Sequence, residues 1–267
     1  MLLAEERQER ILQYLKEKGT LRVAELALQF GVSRETIRRD LAELESKGLG
    51  KKIHGGVMLA STRAAEPSYA ARAAAMVEEK RAIGAATARL VADGESILLD
   101  LGTTTLEVAG HLRGKQNLTV LTNSVPAALA LVDDPGVTVY LTGGHLRRGD
   151  LSLSGSRARE ALGEVYVDKA IVGAGGLSVE TGLTDYHVEE AFVRRLMIQR
   201  AKTAIVVADH TKFGVTAFAV VAPIQSIHHI VTDDGISDED KKGLEAAGVQ
   251  VTAVPVPSAG EEEAEGS

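Results

Sequence analysis

The chain has 267 residues, of which 45% are hydrophobic and 25% charged; its formal net charge is −7 and it has no cysteine. That length allows one large domain or a small one plus a medium one, and the lack of cysteine excludes a disulfide framework, a thiolate metal site and a cysteine nucleophile. No apolar run approaches the ~18 residues of a membrane span, and the start MLLAEERQER lacks the basic and apolar stretches of a signal peptide, so the sequence reads as cytoplasmic with no membrane partner.

The charge is unevenly spread. Residues 1–58 hold 11 Lys/Arg against 9 Asp/Glu, a balance of +2 that leaves −9 for the rest. Such a mildly basic start permits an anionic partner without demonstrating one.

Three short helices fit this segment. Ile11, Leu12 and Leu15 share a face of the first, with Gly19 as its stop. The second runs from Val23 to Phe30 and ends at Gly31. Ser33 is a good N-cap for the third, which runs to about Lys47 with Ile37, Leu41 and Leu44 as its inward stripe. Lys51–Val57 reads as a β-hairpin turning on Gly55-Gly56. Residues 1–58 are thus a winged helix-turn-helix, and 59–75 a linker.

From Ala70 to Ala92 the chain is Ala-rich and helical, stopped by Asp93-Gly94. Strand patterns follow at Ser96–Leu101, Leu118–Thr122, Val137–Thr142, Lys169–Gly173, Thr203–Ala208, Ile227–Thr232 and Val249–Val254. Helices fit Thr104–Leu112, Pro126–Leu131 and Glu189–Ala201. Continuous apolar strands such as AIVVA belong in a parallel sheet covered on both faces, so residues 76–256 read as a larger α/β domain with a mostly parallel sheet. The stretch 257–267 is rich in Glu, Gly and Ser and reads as a disordered acidic tail.

A helix that enters a DNA major groove needs one docking face and an opposite face of donors and acceptors. At about 100° per residue from Ile37, Glu35, Arg38 and Arg39 point away from the core and Thr36 lies at the edge. Ser33 and Arg34 stand at the helix N-terminus, which favours phosphate. Lys51, Lys52 and His54 on the wing reach backbone or minor groove. Taken alone, an Arg-Arg pair is more often plain solvated surface; two helices, a tight turn and a wing together are specific.

A second anion site is suggested by Gly102-Thr103-Thr104-Thr105, between a strand and a helix, where backbone N–H groups and hydroxyls converge; simple helix capping is the bland alternative. Thr122-Asn123-Ser124, Gly143-Gly144, Gly173-Ala174-Gly175-Gly176 and Asp209-His210-Thr211-Lys212 also follow strands, and that edge of an open α/β sheet is where ligands bind. Lys212 either neutralises a phosphate or is ordinary surface.

The stretches GVSRETIRRDLAELESKGL and KKIHGGV resemble the recognition helix and wing of the DeoR family of bacterial regulators. The resemblance extends over about residues 5–256 through LDLGTTTLEVA, LTVLTNSVPAALAL, LTGGHLRRGDLSLSG, DKAIVGAGGLSVETGLT and VVADHTKFG. It implies DNA contacts from Ser33, Arg34, Thr36, Arg38 and Arg39. It also implies a C-terminal effector domain like ribose-5-phosphate isomerase, binding a phosphorylated sugar through Gly102, Thr103, Thr104 and Thr105. By the same resemblance Asp100, Asn123, Glu189 and Lys212 would complete that pocket, and Gly173 and Gly175, on the Gly-rich loop after a strand, are expected to line it with them.

The sequence departs from the family at Arg22, where many members carry a small hydroxyl N-cap, and at Gly175, where many keep an aspartate. The second change either widens the pocket or alters sugar-hydroxyl recognition. The isomerase carries an Asp-Gly-Ala-Asp-Glu segment where this chain has Val172-Gly173-Ala174-Gly175-Gly176, so its carboxylates are missing and no general base is positioned. Glu189 or Glu190 as a base is weaker than the helix-dipole explanation for them. The seven histidines form no metal set, and Arg147 and Arg148 read as solvated.

The expectation is therefore a sequence-specific transcription regulator, a repressor controlled by a phosphorylated sugar, acting as a homodimer or homotetramer on double-stranded operator DNA. No cofactor, metal or catalytic group is expected. A sugar-phosphate isomerase or deaminase with an appended DNA-binding domain is the competing reading, and a non-specific nucleic-acid binder a third.

Overall fold

A computed structural model describes residues 4–18, 20–46, 50–53, 55–59 and 66–256. The chain forms two compact units, Met1–Ala75 and Met76–Ser267.

The first unit contains α1 (Ala4–Lys18), β1 (Thr20–Arg22), α2 (Val23–Phe30), α3 (Arg34–Ser46), β2 (Gly50–Ile53), β3 (Gly56–Leu59) and α4 (Tyr69–Ala74). The apolar stripes meet as their spacing demands: Ile11, Leu15, Leu26, Ile37, Leu41 and Leu44 are buried together with Leu21 and Val57. Gly31 closes α2 in the left-handed conformation, φ 63°. Arg22 stands at the N-cap of α2 and makes no side-chain cap bond.

Two details differ from the sequence reading. The strands are three, in the antiparallel order β1-β3-β2; β1 has a single apolar residue and too short a pattern to be seen. Ile53 pairs with Gly56, so Gly56 belongs to a strand and not to the turn. A Cβ there would meet the Leu21 carbonyl oxygen at 2.3 Å. Close approach of β1, not the turn, requires glycine.

The second unit runs through α5 (Val77–Arg89), β4 (Ser96–Leu99), α6 (Thr103–His111), β5 (Leu118–Thr122), α7 (Val125–Leu131), β6 (Val137–Leu141), β7 (His145–Leu146), β8 (Leu153–Ser154) and α8 (Ser156–Gly163). It continues with β9 (Val167–Gly173), β10 (Gly176–Ser178), β11 (Gly182–Asp185), α9 (Val188–Gln199), β12 (Ala201–Val207), β13 (Ala219–Ala222), β14 (His229–Asp233), α10 (Asp238–Ala246) and β15 (Gln250–Val254).

Seven strands form one sheet in the order β15-β14-β12-β9-β4-β5-β6, every neighbouring pair parallel. Each corresponds to an expected strand. Both faces are covered: Leu98, Ala170, Val172 and Val206 pack against α8 and α9, while Leu99, Ile171, Ile205 and Val207 pack against α5, α6 and α7. That double burial explains the uninterrupted apolar runs. A small antiparallel sheet, β10-β11-β13, lies on the α9 side and was not expected.

The single helix expected over Ala70–Ala92 is two. Ala75 is extended and Met76 left-handed, φ 52°, between α4 and α5. Alanine-rich sequence favours helix throughout, so local propensity cannot register a break imposed between the two units. The strand expected over Ser96–Leu101 ends at Leu99, and Asp100 and Leu101 leave the sheet to begin the functional edge.

Candidate functional site

In the first unit, α3 exposes the residues that its spacing assigns outward. Ser33 caps the helix: its Oγ accepts from the Thr36 amide at 3.1 Å and lies 2.9 Å from Thr36 Oγ1. Arg34, Glu35, Arg38 and Arg39 are exposed and Thr36 is half-buried. Arg38 Nη1 is 3.4 Å from Glu35 Oε2, a solvated pair worth little to stability and easily given up to another partner. Lys51 and Lys52 lie on β2, paired with Met58 and Val57; His54 lies outside the described residues.

What fixes α3 is a buried ion pair. Arg7 on α1 reaches Asp40 on α3, Nε–Oδ2 2.5 Å and Nη2–Oδ1 3.0 Å. The hydrogen bond to Asp40 holds the Arg7 guanidinium above its ordinary range despite burial. Asp40 is therefore a docking residue within the Arg-Arg-Asp run, anchoring the helix that carries the exposed arginines.

In the second unit the chain starts at β4, lays β5 and β6 on one side, and later places β9 on the other. The strand order therefore reverses between β4 and β9, and the C-terminal ends of strands at such a point are where open α/β sheets bind ligands. The Gly102–Thr105 turn stands there. Gly102 has φ 139°, a conformation glycine tolerates, and caps α6 without a side-chain bond, so the first-turn amides of α6 keep their anion-binding capacity. Thr105 is buried and donates to the Gly102 carbonyl at 3.0 Å, stabilising the turn; Thr103 and Thr104 are half-buried.

Asp100 and Asn123 flank this turn as the next residues after the paired Leu99 and Thr122. Asp100 Oδ2 accepts from the Gly173 amide at 3.1 Å and from Arg194 Nε at 2.5 Å. Its Oδ1 is buried with no partner, as are both side-chain polar atoms of Asn123. Unmet buried groups are costly, and these three lie just past the paired ends of adjacent strands. Burial pushes the Asp100 carboxyl up, against the opposing pull of Arg194.

Arg194 also binds Asp185. Burial works against Asp185 ionising, but the Arg194 charge holds its carboxyl below the usual range. Arg194, Asp100 and Asp185 are all at least 96% buried, so removing the guanidinium would strand two carboxylates. Sequence reasoning missed Arg194. The signal was there: Ala191, Arg194 and Ile198 share one helical face, and a charge on an apolar face calls for a buried partner.

The other expected pocket residues are dispersed. Gly173 joins Asp100 through its amide. At Gly175 a Cβ would meet Asp185 Cα and the Thr184 oxygen at 3.0 Å and Tyr186 Cδ2 at 3.2 Å. The glycine therefore does not widen the pocket; residues 184–186 close into the space. Glu189 is exposed and paired with Arg159 of α8, Nη1–Oε2 2.8 Å, so the structure does not bring it to the Asp100–Asn123 pair. Its neighbour Glu190 is the buried carboxylate and binds Arg147 Nε at 3.0 Å. Arg147 also clasps Asp150, which corrects the expectation that it is solvated; Arg148 is exposed as expected.

Lys212 follows β12, its Nζ 3.9 Å from Asp209 Oδ2. Burial opposes ionisation of Asp209, yet Lys212, Thr211 and the buried Lys80 hold its carboxyl low. Beside it the His210 ring pairs with Asp233, Nδ1–Oδ2 2.6 Å, and this bond raises the imidazole above its ordinary range against its burial. Among the described residues no cluster of three or more His, Cys, Asp or Glu could hold a metal ion, and no helix is long and apolar enough to cross a membrane.

Two family descriptions match this arrangement. A DeoR-like helix-turn-helix domain covers residues 7–63, and a DeoR C terminal sensor domain covers residues 75–234. The chain belongs to the DeoR family. It is a helix-turn-helix transcriptional regulator that binds DNA through the first unit and an effector through the second. Among DeoR-family relatives, HTH-type transcriptional repressor GlcR of Bacillus subtilis (strain 168) is 39% identical over 86% of this chain and 88% of its own. Transcriptional repressor AccR of Agrobacterium fabrum is 36% identical over 86% and 90%. HTH-type transcriptional repressor CsqR of Escherichia coli (strain K12) is 31% identical over 85% and 87%. These relatives are regulators, not enzymes. Among solved structures, ribose 5-phosphate isomerase A of Methanocaldococcus jannaschii aligns with a TM-score of 0.40 at 18% identity, over 53% of this chain and 56% of that one. A likeness that loose bears on neither activity nor ligand.

Proposed function

We propose that this DeoR-family protein is a cytoplasmic repressor of sugar-metabolism genes whose grip on operator DNA is set by a phosphorylated sugar. The observation that carries the ligand is the group of unpartnered buried atoms on Asp100 and Asn123 beside the open N-terminus of α6. Amides of the Gly102–Thr105 turn and the hydroxyls of Thr103 and Thr104 suit a phosphate. Asp100 Oδ1 accepts from a sugar hydroxyl, or donates to one when protonated, and the Asn123 amide does both. Lys212 contributes positive charge from the same sheet edge, and Gly173 and Gly175 let the backbone approach. Glu189 takes no part in this reading.

Residues 1–58 form the DNA-binding part and 76–256 the effector part. Ser33, Arg34, Glu35, Thr36, Arg38 and Arg39 face the major groove, and Lys51, Lys52 and His54 the backbone. Two or four copies present paired wings to a repeated or palindromic operator. The test is a thermal-shift panel of phosphorylated sugars against their unphosphorylated forms, since a ligand of the folded state raises apparent stability by mass action. A phosphorylated sugar should raise Tm and change operator affinity in the wild type. Thr104→Val should abolish that response while binding operator normally. A variant that responds like wild type would remove the phosphate turn from the mechanism.

A further inference from the structure

The seven-stranded sheet has two edges. On the β15 edge no large apolar side chain of the strand is exposed. The β6 edge is different. Tyr140 is 56% and Leu141 47% exposed on β6 itself, and α7, which packs beside β6, exposes Leu129, with its C-cap Val132 exposed three residues on. Leu146 and Leu151, in the β7–β8 hairpin, are exposed as well. This hairpin is stitched to the same corner: the Val125 amide donates to the Leu151 carbonyl at 3.2 Å, and the Leu153 amide to that of Asn123 at 2.7 Å. Edge strands are normally guarded by a lysine, a proline or a bulge. β6 reads Val-Thr-Val-Tyr-Leu and pairs with β5 without interruption, so it has none of these guards.

We infer that the β6 edge, with the exposed faces of α7 and the β7–β8 hairpin, is where a second copy of this chain docks, its β6 antiparallel to the first across a two-fold axis. Size supports this occupant. Six exposed apolar side chains at roughly 100 Å² each offer on the order of 600 Å², approaching the ~800 Å² per partner of a stable interface. Charge supports it too. Exposed Asp133 lies four residues before β6, and exposed Arg148 lies seven residues after it, past β7 in the β7–β8 hairpin. An antiparallel two-fold turns the acidic approach to one β6 toward the basic hairpin that follows the other, so the edge is complementary to itself.

A second group of exposed apolar residues, Phe192, Phe218 and Val220, does not offer an open edge. Arg195 lies over the Phe192 ring at 5.1 Å and donates to the Val220 and Val221 carbonyls of β13. Those edge acceptors are already occupied.

The inference rests on the reading of the protein as an oligomer and names its surface. Light scattering on the full chain, free and with operator DNA, tests both. Wild type should be dimeric or larger, and Tyr140→Arg with Leu129→Glu should halve its mass while keeping a cooperative melting transition, at a Tm lowered only by the loss of association. Phe218→Glu should leave the mass alone. Asp133→Arg should weaken association, and adding Arg148→Asp should restore it. An oligomer unaffected by the Tyr140 and Leu129 changes, or broken by Phe218→Glu, overturns the surface and leaves the oligomeric reading standing. A double charge swap that fails to restore association overturns the antiparallel arrangement. A wild type that stays monomeric with and without DNA overturns both.

Discussion

Arg38 and Glu35 stand one turn apart on the exposed face of α3, 3.4 Å apart in the free protein. Their attraction is screened by water, so transfer of the guanidinium to a guanine edge costs little. Arg38→Ala, or Arg39→Ala beside it, should weaken specific operator binding by about 1–3 kcal/mol, roughly 5- to 150-fold. Fluorescence anisotropy with operator and random DNA would measure this, and the melting curve should not move. Equal loss on both DNAs would reassign the residue from base to phosphate contact. His210 carries a pH dependence of known sign. Its folded-state pKa lies above the ordinary 6.5 because Asp233 accepts its ring proton, with Asp209 and Glu79 adding attraction. The protonated pair therefore stabilises fully below the unfolded value, and the contribution fades as pH rises through the folded one. The urea midpoint gap between wild type and His210→Gln should be wider near about pH 6 than near about pH 9. The opposite trend would mean that His210 is neutral where it matters.

At the scale of elements, the C-terminal edge of the sheet is packed as much by backbone as by side chains. Residues 184–186 approach Gly175 to 3.0 Å of where a Cβ would be. Gly175→Ala should therefore destabilise the second unit by about 1–3 kcal/mol, the range for overpacking, read as a lower urea midpoint; an unchanged midpoint would show that the β11 end yields freely. The helices obey a similar logic. α3 is held by the Ile37–Leu41–Leu44 stripe and by Arg7–Asp40, and α9 by its apolar face and by Arg194. In both, a buried arginine–aspartate pair fixes the element in place. Periodicity placed these helices to within a residue or two. It could not pair Arg7 with Asp40 or Arg194 with Asp100, because those partners are remote in sequence and meet only once the helices dock.

For the whole molecule, regulation requires the effector to prefer one DNA-binding state over the other. Taking that equilibrium from 1:99 to 99:1 takes about 5.5 kcal/mol of differential binding. A phosphate on α6 with its hydroxyls read by Asp100 and Asn123 is the kind of contact set that can differ between states. The sequence by itself determined the two-part organisation, the helix-turn-helix, the seven parallel strands and the Gly102–Thr105 turn, because each is written in local periodicity, caps and glycine placement. Only the tertiary structure decided which residues meet at the C-terminal edge of the sheet. It kept Asp100 and Asn123 together through strand register, sent Glu189 to Arg159, drew Arg147 to Asp150 and Glu190, and filled the space at Gly175. The physical reason is that a buried charge or an open polar atom is defined by its neighbours, and in this fold those neighbours come from elements far apart along the chain.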